Sequence, residues 1–186
     1  MSHVTGDAVS DVSSYMTAIW NNFADGEVQL ERYADIITAL GAATASSSEE
    51  IAGGLEKFAA IAETVGLSYE YATTALATVV SKTRQSVETV GTSFKTIFGR
   101  LESLNLGETL DDGTTLTKYS NALQTVGVSI MDANGELKDM DTILNELGKK
   151  WSDLSKDEQV ALANTVAGTR QYNNFIALME SFGGEF

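Results

Sequence analysis

No proline occurs anywhere in the 186-residue chain, while glycine occurs 16 times. Proline kinks or ends helices, so its absence leaves glycine as the main punctuation between helical runs. Apolar residues recur at helical spacing along almost the whole sequence. Tyr15, Ile19 and Phe23 share one face of a first helix, and Leu30, Tyr33, Ile37 and Leu40 share one face of a second, predicted over 27–40. Between them Ala24-Asp25-Gly26 reads as a turn, and residues 1–10 as a frayed start. Ile51, Leu55, Phe58 and Ala62 predict a helix closed at Gly66. Tyr69, Ala72, Leu76, Val79 and Val80 predict the next, with Tyr69 or Tyr71 facing out. Val87, Val90, Phe94, Ile97, Leu101 and Leu104 form the longest stripe. Inside it Gly91 and Gly99 each cost about 1 kcal/mol against alanine, so they either admit a close helix neighbour or, at Gly99, mark a break.

The second half repeats the pattern in shorter pieces. A glycine-bearing loop over 105–116 precedes a short helix over 117–126, closed by Gly127. Asn134-Gly135 is a hairpin signal, around which Val128, Ile130 and Leu137 can form a tiny two-stranded ribbon. Met140, Ile143, Leu144, Leu147 and Trp151 line another helix. Val160, Ala163, Val166 and Ala167 line the one after it, and Tyr172, Phe175, Ile176 and Met179 the last. Ser47 with Glu50, and Ser155 with Glu158, have the spacing of capping boxes. Gly66, Gly107, Gly113, Gly135 and Gly168 are the expected turns. Together these give an all-α fold: a compact multi-helix domain of about eight short helices, with one very small β-hairpin near 128–138 as its only extended element. Residues 27–181 are expected to form the helical module, 1–26 an N-terminal extension or partial helix of a larger chain, and 182–186 a flexible end or a cut boundary.

Composition narrows the function. The formal charge is −14, from 26 acidic against 12 basic residues, which disfavours a phosphate-neutralising surface for nucleic acid and weakens any attraction to anionic lipid. Cysteine is absent, which removes disulfides, thiolate metal sites and cysteine nucleophiles. The first residues carry neither the basic start nor the apolar run of a signal peptide, and no stretch approaches the length of apolar sequence that spans a bilayer. His3 is the only histidine and sits near the start of the chain, so a histidine base or ligand set is not expected.

Candidate chemistry is thin. Asp132-Ala133-Asn134-Gly135-Glu136 opens like a calcium loop, but the glycine comes early and the closing glutamate position holds Ile143. The bland reading is an Asn-Gly turn with surface carboxylates. Asp111 and Asp112, with Thr109 and Thr115, make a second oxygen-rich loop, again read as solvated. The many carboxylates, such as Glu49, Glu50, Glu56 and Glu63, fit a polar helix face and single out no acid–base pair. Neither a phosphate-cradling loop nor a nucleophile elbow is present. No metal, cofactor or catalytic residue is therefore expected. Trp20, Tyr69, Arg84, Trp151, Arg170 and Tyr172 are the interface candidates, with core packing as the alternative for the aromatic residues.

The order of segments is more specific than any site. Gly66-Leu67-Ser68, then Arg84-Gln85-Ser86 opening the stripe that ends in Ile97-Phe98-Gly99-Arg100-Leu101, lie within 33–101. Leu106-Gly107-Glu108, Gly135-Glu136-Leu137 followed by Asp139 to Ile143, and Gly168 to Tyr172 lie within 106–179. In this order the chain resembles the core region of phage tail tape measure proteins, of the long-tailed and prophage type. The resemblance implies a non-enzymatic scaffold that sets tail-tube length and leaves at genome ejection. It implies residence in the tail lumen of the virion, and in the bacterial cytoplasm during assembly. Its implied partners are the major tail tube protein, distal tail or tail-tip proteins and tail assembly chaperones, with further copies of itself in the tail. Membrane contact would come only through other parts of the parent protein. The alternative is a docking module for tail-tip, chaperone or host-envelope components.

Overall fold

The structure is a computed structural model, and it describes residues 9–23, 30–43 and 46–181. His3, the Ala24-Asp25-Gly26 turn and the 182–186 end lie outside the described residues. The described residues form ten helices: α1 (Val9–Phe23), α2 (Leu30–Ala43), α3 (Ser48–Glu56), α4 (Ala59–Thr64), α5 (Tyr69–Thr83), α6 (Val87–Asn105), α7 (Leu116–Thr125), α8 (Met140–Trp151), α9 (Lys156–Ala167) and α10 (Tyr172–Met179). The fold is all-α, with no strand among the described residues. Packing divides the chain into two compact units, Met1–Lys95 and Thr96–Phe186, and the division falls within α6.

In the first unit α1 packs on α2, α3 and α4, and α5 packs on α2 and α3. The apolar stripes meet in its interior: Ile19, Ile37, Ile51, Leu55 and Leu76 are fully enclosed. Tyr69 belongs to this core and is 3% exposed. Its hydroxyl donates to the Tyr33 carbonyl at 2.7 Å, and the Tyr33 hydroxyl donates to the Phe23 carbonyl at 2.8 Å. Burial, then the neighbouring Glu70 and Tyr33, push the Tyr69 phenol well above its ordinary range, so it remains a neutral donor. Tyr71 is buried as well, so neither tyrosine of the pair faces out. Between them Glu70 reaches the surface and pairs with Arg32.

Two departures from the periodic reading occur here. The helix expected from Ser48 to Gly66 is broken after Glu56. Lys57 and Phe58 donate to Gly54 and Leu55 in a tightened last turn, and Phe58 takes φ −129°, outside the helical region. Two consecutive glycines at 53–54 weaken this turn, and the break aims the Phe58 ring edge-on at Phe94, 5.3 Å away. Gly41, just past the helix predicted over 27–40, is the third-last residue of α2. A Cβ there would stand 2.7 Å from the Ser48 hydroxyl, so glycine lets the end of α2 lie over the start of α3.

In the second unit α9 packs on α7 and α10, and α10 packs on α8. Tyr119, Leu123, Leu144, Leu147, Trp151 and Phe175 fill the centre. The ribbon expected around Asn134-Gly135 shrinks to one antiparallel bridge, Met131 with Leu137. Val128 and Ile130 are each 1% exposed, because the core takes both side chains and leaves too short an arm for a ladder.

Candidate functional site

The sequence candidates separate by burial. Tyr69 and Trp151, proposed as interface anchors, lie inside their units. Trp151 is 2% exposed and meets Phe175 edge-on at 6.0 Å, so both residues are packing anchors in this conformation. Arg84 and Arg170 are exposed and Tyr172 is half-buried. The Trp20 side chain lies outside what the structure describes.

Ser47 and Glu50 form a reciprocal capping box on α3, and Ser155 and Glu158 form another on α9. The bonds from the Ser155 side chain, then its backbone, hold the Glu158 carboxyl below its usual range. Gly66, Gly107, Gly113, Gly135 and Gly168 all have positive φ. At Gly168 φ 76° with ψ 164° is a conformation essentially reserved for glycine, and it turns the chain from α9 into α10. Arg84 ends α5 at φ 60°, the one described residue other than glycine with positive φ.

The most elaborate polar arrangement was not apparent from sequence. Arg100, on α6, is largely buried within the second unit. Its Nη2 contacts an Asp112 carboxylate oxygen at 2.7 Å, the Thr114 hydroxyl at 3.0 Å and the Thr165 carbonyl at 3.1 Å. Thr165 lies in the last turn of α9, where carbonyls lack helical partners, so the guanidinium caps that helix end. The other Asp112 oxygen accepts the Thr114 backbone N–H at 3.0 Å. One cation thus ties α6, the 106–115 loop and the end of α9. Burial pushes the Asp112 carboxyl up, but the Thr114 bonds and the Arg100 guanidinium more than offset it and bring it to about 2.

This geometry gives a pH prediction. A carboxyl held below its unfolded value of about 3.9 contributes stability above that pH, and the contribution disappears as pH falls towards its folded value. Because 43% of the Asp112 side chain is exposed, solvent screening limits its worth to about 1 kcal/mol. Asp112→Asn should lower the urea midpoint at neutral pH, and the gap from the parent should close between about pH 4 and pH 2. A gap that persists unchanged at low pH would count against the ion pair as its cause.

Around this clamp runs an open groove bordered by Glu108, Asp111, Arg170 and Gln171. Arg100 and Asp112 are already bound to the protein, so the free chemistry is the exposed Arg170 guanidinium and the flanking carboxylates. In the Asn-Gly loop, Asp132 likewise spends its carboxylate on the chain: one oxygen accepts the N–H of Asn134 at 2.8 Å and of Glu136 at 2.9 Å. Among the described residues no group of three or more His, Cys, Asp or Glu side chains is placed to hold a metal ion. No described helix is long and apolar enough to cross a membrane.

The sequence missed the clamp because Arg100 and Thr165 are far apart in the chain and neither neighbourhood carries a local signature. It also missed Leu106, 72% exposed just beyond α6 and the most exposed large apolar residue described.

No solved structure matches the chain. The family model described as phage-related minor tail protein matches residues 1–168. That match spans both units and runs to the glycine that closes α9, so the chain belongs to the phage-related minor tail protein family.

Proposed function

We propose that this chain is part of a tape measure: a non-enzymatic scaffold that sets how far the tail tube polymerises and is released during genome ejection. The carrying observation is where the tape-measure-like phrases fall. Gly66-Leu67-Ser68 joins α4 to α5, and Arg84-Gln85-Ser86 joins α5 to α6. Leu106-Gly107-Glu108 leaves α6, Gly135-Glu136-Leu137 leads towards α8, and Gly168 to Tyr172 joins α9 to α10. Several of the short phrases that carry the resemblance fall in these connections, while Ile97 to Leu101 lies inside α6 and Asp139 to Ile143 enters α8; the family match supports a structural tail role.

In this reading residues 27–181 act as one module in the lumen of the tail. The module meets the major tail tube protein, tail-tip proteins and assembly chaperones through the exposed Arg84 and Arg170 and the half-buried Tyr172. Further copies of the chain lie beside it in the tail. The charge of −14 suits a protein partner better than a nucleic acid.

In-frame removal of 27–179 from the gene should give uniformly shorter tails by electron microscopy. Laid out as one continuous helix the segment would account for about 230 Å at ~1.5 Å per residue. Two compact units would account for less. Tails of unchanged length with normal infectivity would overturn the proposal. Absent or irregular tails, with the truncated protein still soluble, would favour a docking or initiation module instead.

A further inference from the structure

The Asn134-Gly135 turn carries chemistry of its own. Asn134 is exposed, and the residue after it has no side chain to shield its backbone nitrogen. We propose that Asn134 is a self-deamidation site whose rate is held down by the hydrogen bonds of Asp132.

In the reaction the Gly135 backbone nitrogen bonds to Cγ of Asn134 and the Cγ–Nδ2 bond breaks. The Gly135 amide proton is passed through solvent to the departing nitrogen, which leaves as ammonia. Water then adds to either carbonyl of the resulting succinimide and opens it to aspartate or to isoaspartate. The net change is amide plus water to carboxylic acid plus ammonia, and nothing is oxidised or reduced.

The folded turn opposes every part of this. The Gly135 N–H, which must be surrendered, donates to the Asp132 carbonyl at 3.2 Å. The Asn134 amide nitrogen is drawn back to the second Asp132 carboxylate oxygen at 3.4 Å. The first carboxylate oxygen accepts the N–H groups of Asn134 and Glu136 at 2.8 and 2.9 Å, and the Asp132 N–H donates to the Glu136 carbonyl at 2.8 Å. These bonds fix the backbone on both sides of Asn134, so cyclisation has to wait for the turn to open. The carboxylate acts here as an acceptor and not as a base; it holds backbone in place.

Once formed, the product does not restore the turn. Either acid adds a negative charge beside Asp132 and Glu136, and isoaspartate adds a backbone atom inside a turn closed by one bridge, Met131 with Leu137. Both bridge residues are already partly exposed, at 37% and 40%, so modification should loosen an apolar pair at the surface.

The full chain, aged in mildly alkaline buffer, is sampled over time and conversion at residue 134 is read by peptide mass spectrometry. Parent, Asp132→Ala and Asp132→Asn are run side by side, and the parent is also run in denaturant. Asp132→Ala should deamidate about tenfold faster, equivalent to ~1.4 kcal/mol of turn opening. Asp132→Asn keeps a side-chain oxygen that can accept the same two N–H groups, so its rate should stay close to the parent's. The denatured parent should be the fastest of all. Equal rates in parent and Asp132→Ala would overturn the proposal, as would equal acceleration in Asp132→Asn. If Asp132→Ala does not fold, the comparison of native with denatured parent decides, and equal rates there overturn it.

Discussion

Replacing Trp151 with alanine is expected to destabilise the second unit by about 3–5 kcal/mol, the range for truncating a buried aromatic residue. Trp151 ends α8, its ring meets Phe175 of α10, and its carbonyl accepts the side-chain amide of Gln159, on α9, at 2.8 Å. Three helices therefore converge on one residue, and the cavity left by alanine has no single neighbour able to fill it. The indole N–H, however, is buried and finds no hydrogen-bond partner among the described residues. Trp151→Phe removes that unsatisfied donor while keeping most of the ring, so its cost should be far smaller, about 1 kcal/mol or less. Urea unfolding of both variants, with hydrogen exchange assigned to α8–α10, checks the pair. A Trp151→Ala loss below about 1 kcal/mol would return the residue to the interface role that the sequence left open.

What the sequence discloses and what it withholds divide by range. The all-α class, the helices of the second half and the turns at Gly66 and Gly168 were legible because each depends on neighbours within a few residues. Apolar periodicity selects the buried face, a serine three residues before a glutamate caps a start, and a glycine ends a run. The break at Phe58 was not legible, because the apolar pattern continues through it. It depends on a ring contact with Phe94, a residue from another helix. The Arg100 clamp was hidden for the same reason: its acceptor on α9 is a backbone carbonyl, which leaves no side-chain signature. Alternation at Val128 and Ile130 resembles a strand edge, but the core claims both side chains and no ribbon extends beyond the one bridge. For the interface candidates, periodicity places Tyr69 and Trp151 on apolar faces, but only packing shows that those faces are covered within each unit.

Gly91 and Gly99 show how far one residue type in one helix can diverge, and their alanine variants should move stability in opposite directions. Both are in α6 and both look like helix-weakening defects in sequence. A Cβ on Gly91 would stand 2.5 Å from the Gly54 carbonyl oxygen and 3.2 Å from its Cα, while a Cβ on Gly54 would stand 2.3 Å from Val87 Cγ1. The backbones of α3 and α6 therefore cross at the two glycines, and at Gly91 the obstructing atoms are main chain, which cannot rotate aside. At Gly99 a Cβ would meet no described atom within 4 Å beyond the neighbouring backbone of its own helix. Gly91→Ala gains about 1 kcal/mol of helix propensity but must push α3 and α6 apart, an overpacking cost of ~1–3 kcal/mol or more that also strips neighbouring contacts. The net expectation is a loss of up to about 2 kcal/mol, rising further in Gly91→Val. Gly99→Ala gains the propensity without the clash and should stabilise by up to about 1 kcal/mol. Chemical unfolding of the three variants against the parent tests this, because propensity alone would make Gly91→Ala and Gly99→Ala both stabilising. If both alanines stabilise, α3 and α6 are not held at this separation, and the Phe58–Phe94 contact beside the crossing loses its explanation.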